Sequence, residues 1–128
     1  MGIIPERKLD LGNQIALMSV KARELGCKIV YTTERKISFN TDMIIFLHPL
    51  VTLENAYALA HEIGHLIQYT EGRLHYGMWK INKPYRINTE MEAWGYAYDI
   101  LTKYEVPLDK WSEHVQKKLM SYFTTDKI

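Results

Sequence analysis

A chain of 128 residues with 47% hydrophobic and 24% charged side chains has the length of one domain and enough apolar material for a core, which excludes disordered and low-complexity classes. Its 16 Lys plus Arg against 15 Asp plus Glu leave a net charge of +1, so no overall field favours nucleic acid or an anionic membrane surface. Cys27 stands alone, which excludes an intrachain disulfide and a cysteine-based zinc knuckle, and leaves His and carboxylates as the ligands for any metal.

Residues 1–10 carry Glu6, Arg7 and Lys8 and lack the apolar core of a signal peptide, so the expectation is one soluble, cytoplasmic domain over residues 1–128. The apolar run at residues 43–47 is far short of the ~20 residues that a membrane span requires. From Leu11 to Leu25, Ile15, Met18, Ala22 and Leu25 recur at spacings of three and four, and Gly26 follows as a stop; this predicts a first amphipathic helix. β-branched and aromatic residues at Ile29, Val30 and Tyr31, then at Ile37 and Phe39, predict two short strands. Asn40-Thr41-Asp42 reads as a turn into a third strand over residues 43–47, which His48-Pro49 ends, and a three-stranded antiparallel meander is the simplest arrangement.

Thr52 caps a second predicted helix from residue 53 to about 70, with Glu54 in its first turn and Gly72 beyond its end. Residues 73–88 lack a clean period and contain Pro84, which predicts a long loop. Asn88 or Thr89 then opens a third helix to Leu101 or Tyr104, which Pro107 ends, and Asp109 caps a fourth to about Phe123 with Trp111, Val115, Leu119 and Tyr122 as its stripe. The expected fold is therefore α+β, a small antiparallel sheet packed with about four helices.

The second helix contains His61-Glu62-Ile63-Gly64-His65. Two His at i and i+4 lie ~6 Å apart on one helix face, so both imidazoles can reach one metal, while Glu62 projects about 100° further round, beside the open coordination position. Composition alone would produce the pattern about 0.015 times in such a chain, so chance is a poor explanation. Gly64 costs ~1 kcal/mol against Ala inside a helix and marks either close approach of another backbone or simple tight packing on the third helix.

A catalytic zinc site needs a third protein ligand and keeps a fourth position for water. No third His stands at the near-downstream spacing of the metzincin pattern. The remaining donors are Glu92, Glu90, Asp99 and His75, with Glu92 preferred because Tyr96 and Asp99 continue its face and Ala93 and Ala97 allow a close helix approach. Thr89-Glu90-Met91-Glu92 equally fits a capping box, in which Glu92 merely bonds the backbone at Thr89.

The helix, short strands, His-Glu-x-x-His helix and downstream Glu92-Ala93-Trp94-Gly95-Tyr96-Ala97 with Ile100-Leu101 resemble the ImmA/IrrE family of zinc metallopeptidase domains, common in phages and mobile elements. The resemblance spans roughly Leu11 to Leu101. Tyr96 replaces the family's usual Phe, and Thr102-Lys103 stand where Met-Pro often ends the family helix. The resemblance implies a zincin-like fold, Glu92 as third zinc ligand and a protein substrate such as a helix-turn-helix repressor of a mobile element.

On that basis His61, His65 and Glu92 hold Zn2+, Glu62 is the general base, and His75 and Tyr76 are the first candidates for stabilising an oxyanion, with Tyr69 and Tyr85 behind them. The strand over residues 43–47 is a candidate sheet edge for an extended peptide, and Trp79, Lys80, Lys83 and Arg86 are a candidate basic, aromatic rim. Cys27, His48 and His114 read as structural or surface residues. The alternative is a zinc-binding module that docks a regulatory protein without cutting it. A structural domain with a fortuitous motif is the third reading.

Overall fold

The computed structural model describes residues 11–124, and residues 1–10, on which the cytoplasmic expectation rests, lie outside this range. Along it run α1 (Leu11–Glu24), β1 (Lys28–Tyr31), β2 (Ser38–Asn40), β3 (Ile44–Leu47), α2 (Leu53–Thr70), α3 (Tyr76–Ile81), α4 (Lys83–Lys103) and α5 (Trp111–Thr124), an α+β fold. No helix among the described residues is long and apolar enough to cross a membrane.

The predicted periodicity of α1 is realised, with Ile15, Met18 and Ala22 buried and Gly26 taking φ 92° at the turn that follows. The sheet differs from the expected antiparallel meander. Its order is β1-β3-β2, with β1 parallel to β3 and β2 antiparallel to it, so the sheet is mixed. The expected turn at residues 40–42 is present: Asn40 Oδ1 accepts the Asp42 N–H at 2.9 Å, and the Met43 N–H closes back on the Asn40 carbonyl at 3.0 Å. What periodicity does not report is which strand takes the centre. The most apolar strand, β3, takes it, where Ile45 and Leu47 are fully buried and its backbone bonds to a neighbour on both sides. The strand over residues 43–47 is thus interior, and among the described residues β1 and β2 are the edges.

Helix α2 is the centre of the molecule, packed against α1, the sheet and α4. Thr52 caps it as expected, its Oγ1 accepting the Asn55 N–H at 3.1 Å. Leu59, Ile63 and Leu66 on this helix are fully buried, each worth roughly 1.5–3 kcal/mol in apolar transfer.

The predicted loop over residues 73–88 is largely helical, which raises the expected four helices to five among the described residues. Asn82 caps α4 through its Oδ1, which accepts the Tyr85 N–H at 3.0 Å, and Pro84 sits in the first turn, where its missing N–H has no consequence. Pro84 therefore marks a helix start. Because α4 begins at Lys83, Thr89 lies inside the helix, and Glu92 caps nothing.

Candidate metal centre

Helices α2 and α4 come into close backbone contact at Gly64. A Cβ on Gly64 would lie 2.6 Å from the Ala93 carbonyl oxygen and 3.1 Å from the Ala93 Cα, so the close backbone approach suggested by the sequence is real. This contact sets which acid of α4 faces the two histidines. Glu90 shares its face with Ala93, Ala97 and Leu101 at i+3, i+7 and i+11, all buried, whereas Glu92 lies roughly 200° round the helix from Glu90 and is exposed.

The third member of the cluster is thereby corrected from Glu92 to Glu90. Glu90 Oε1 lies 2.9 Å from His61 Nε2, and its Oε2 lies 3.1 Å from His65 Nε2. One ligand atom from each of the three residues falls within 4.8 Å of the others, and the group could hold a metal ion. All three are buried, Glu90 being only 2% exposed. The sequence contained the signal in the small-residue stripe that continues from Glu90. The family pattern and the flanking Ala93 drew attention to Glu92 instead.

Surrounding groups fix the cluster. Gln68 Oε1 accepts from His65 Nδ1 at 2.9 Å, which turns the Nε2 edge of the ring toward Glu90. The Gln68 amide in turn donates to the Thr89 carbonyl at 2.9 Å and to Glu92 Oε1 at 2.8 Å. Glu92 is therefore the outer end of a hydrogen-bonded chain that orients His65, and it also pairs with Arg73, which drives its carboxyl below the usual range against the opposing effect of burial. The His61 ring stacks on Trp94 with centroids 4.0 Å apart and planes 9° from parallel. Glu62, 9% exposed, places Oε2 3.4 Å from His61 Nδ1.

The candidate rim is redistributed. Trp79 Nε1–H donates to Glu90 Oε2 at 2.9 Å, and the buried Arg86 holds the Trp79 carbonyl at 3.1 Å, so both are supports of the centre. Lys83 donates to the Phe123 carbonyl at 2.9 Å, and Lys80 lies over the Tyr76 ring. Neither His75 nor Tyr76 is directed to the cluster by the contacts it makes. The His75 N–H donates to the Tyr85 hydroxyl at 3.0 Å, and Tyr76, 59% exposed, stacks on Trp79. Tyr122 of α5 is half-buried, and burial, with the Glu90 and Glu62 charges, pushes its phenol far up.

Cys27, His48 and His114 are structural, as read. The Cys27 thiol is buried and pushed up to about 11, His48 Nε2 meets the Arg35 carbonyl at 2.8 Å, and His114 packs on Tyr57 and Trp94.

Electrostatics give a pH signature. Burial pushes the His61 imidazolium down, but hydrogen bonds to Glu62 and Glu90 and their charges outweigh it, raising the pKa from 6.5 to about 9. The Glu90 carboxyl is held far below 4.5, its burial outweighed by hydrogen bonds to His61 and His65. In the metal-free chain the raised His61 contributes stability that is complete below pH 6.5 and lost as pH rises through about 9, while the depressed Glu90 contributes above pH 4.5 and is lost on acidification. A ligating imidazole must be neutral, so a metal displaces the His61 proton. At pH 7, binding should release about one proton per ion and tighten up to about tenfold per pH unit until about 9. Calorimetry in buffers of different ionisation enthalpy measures this release, and a value of zero would show that His61 is already neutral.

Comparison with models of protein families, with curated proteins and with solved structures gives no match for this chain.

Proposed function

We propose that the chain acts in the cytoplasm as a zinc-dependent endopeptidase, the activity and zincin-like centre being those that the resemblance to the ImmA/IrrE family implies. The observation that carries this reading is the buried convergence of His61, His65 and Glu90 with Glu62 standing beside them. Two imidazole nitrogens and one carboxylate are a ligand set of catalytic zinc sites, and ligands bound at 2.0–2.2 Å around a tetrahedral ion sit roughly 3.3 Å apart. Glu90 Oε1 lies 2.9 Å from His61 Nε2 and 3.3 Å from His65 Nε2, near that spacing.

Zinc held there would supply Lewis acidity to polarise a scissile carbonyl and to make a water nucleophilic near neutral pH. Glu62 takes the proton of the attacking water and returns it to the leaving amine nitrogen as the C–N bond breaks. Gln68 keeps His65 in the required tautomer, and the Trp79 indole restrains Glu90. Strand β2, whose far side is unpaired among the described residues, replaces β3 as the edge on which an extended peptide would add. The resemblance points to a regulator of a phage or mobile element, such as a helix-turn-helix repressor, as substrate.

Glu62→Gln is the deciding variant, because it removes the base while keeping size and metal ligands. New protein N-termini should appear in cells expressing the wild-type chain and be absent with Glu62→Gln, which should bind zinc as tightly. The second reading, a docking module, is favoured by the burial of Glu62 and Glu90, which leaves little surface for a substrate. Identical termini with both chains and an unchanged biological effect would establish it instead.

A further inference from the structure

The short helix α3 buries none of its residues fully, and its Tyr76, Met78 and Ile81 are exposed, so it adds little to the core. It is nonetheless held from two sides. The buried Arg86 of α4 donates from Nη1 to the Trp79 carbonyl at 3.1 Å and to the Lys80 carbonyl at 3.4 Å, and its guanidinium carbon lies 5.5 Å from the centroid of the Trp79 ring. The Tyr76 ring stacks on Trp79, with centroids 6.0 Å apart and planes 12° from parallel. These contacts converge on one side chain, and that side chain delivers a single polar group to the centre, the Trp79 Nε1–H that Glu90 Oε2 accepts at 2.9 Å.

The two oxygens of Glu90 are therefore unequal. Oε1 lies 2.9 Å from His61 Nε2 and 3.3 Å from His65 Nε2, near the spacing of two ligands on one tetrahedral ion. Oε2 lies 3.1 Å from His65 Nε2, close enough to follow Oε1 onto the same ion, but it carries the indole hydrogen bond. A carboxylate that binds zinc through both oxygens takes two of four positions and leaves none for water. An indole nitrogen is a donor only, so it can neither ligate the metal nor accept a proton. Its one effect on Oε2 is to stabilise the charge of that oxygen away from the ion.

We infer that Trp79 is a positioning residue that holds Glu90 to coordination through Oε1 alone, so that the fourth position on the metal stays open for water. This rests on the zinc-centre reading above. The indole keeps its proton throughout, and α3, fastened by Arg86 and Tyr76, is the element that presents it.

The test uses the full chain loaded with Co2+, whose visible absorption is strong in four-coordinate sites and weak in five- or six-coordinate ones. Azide serves as the probe of the open position. The wild-type chain should bind about one cobalt and absorb strongly. Trp79→Phe keeps an aromatic ring and loses the N–H; it should still bind about one cobalt, absorb severalfold more weakly as Oε2 joins the ion, and bind azide about tenfold or more weakly, the loss expected once a hydrogen bond to a charged oxygen no longer holds Oε2 back. Tyr76→Leu breaks the stack behind Trp79 but leaves the indole, and it should match the wild-type chain in both readouts. If Trp79→Phe does not fold, the benzothienyl analogue of tryptophan at position 79, with sulfur in place of N–H, makes the same comparison. Unchanged absorption and azide affinity without the N–H would overturn the inference, as would a wild-type spectrum of a five- or six-coordinate ion. Weaker cobalt binding with an unaltered spectrum would also overturn it, by making the indole a support for affinity alone. A wild-type chain that takes up neither cobalt nor zinc would instead defeat the metal-centre reading itself, and this inference with it.

Discussion

Replacing Glu90 by alanine weakens zinc binding by at least about 100-fold, whereas replacing Glu92 by alanine leaves it within about tenfold of the wild-type chain. The difference follows from which way each carboxylate points. Glu90 is 2% exposed with its oxygens on both histidines, so its removal takes away the only acidic side chain of the three-residue cluster. Glu92 touches Arg73 and the Gln68 amide. Its exposed ion pair is worth at most about 1 kcal/mol, and its influence reaches the centre only through Gln68 and the tautomer of His65. Competition with a chromophoric chelator at fixed pH measures both variants. The opposite order of losses would reinstate Glu92 as the ligand and would require α4 to be turned about its axis.

The second large effect is expected at Gly64. Gly64→Ala should destabilise the chain by about 2–3 kcal/mol, because overpacking against an immovable backbone outweighs the ~1 kcal/mol that Ala gains over Gly in a helix. The added carbon would stand 2.6 Å from the Ala93 carbonyl oxygen, and no side-chain rotation relieves it; α2 and α4 must separate. Separation carries Glu90 away from His61 and His65, so zinc affinity should fall together with the urea midpoint. Gly95→Ala is the matched control. Gly95 is an exposed position inside α4 with nothing within 4 Å of an added Cβ, so the same substitution there should stabilise the chain by about 0.5–1 kcal/mol. Equal responses at the two sites would show that the close contact at Gly64 carries no energetic weight.

Local chemistry made much of this protein legible before folding was considered. The burial stripe of α1, the Thr52 cap, the Asn40 turn and the i, i+4 spacing of His61 and His65 all depend on residues a few positions apart, so periodicity and turn chemistry report them directly. The span of α4 was partly hidden because Pro84 serves equally to stop a helix and to start one, and only the Asn82 side chain bonded to the Tyr85 N–H distinguishes the two.

Other features belong to the tertiary structure alone. Strand order is one, since alternation tells which residues are buried but says nothing about which edge pairs with which, and β3 at the centre was not readable from its own five-residue run. The choice between Glu90 and Glu92 is another. Two acids two residues apart face opposite ways on a helix, and the face turned inward is decided by the fit of Ala93 against Gly64 on a different element. The docking of α5 on α4 is a third, a contact between elements that no short-range spacing encodes. Residue types and short-range spacing therefore determined what chemistry this protein contains, while long-range packing decided which side chains take part in it.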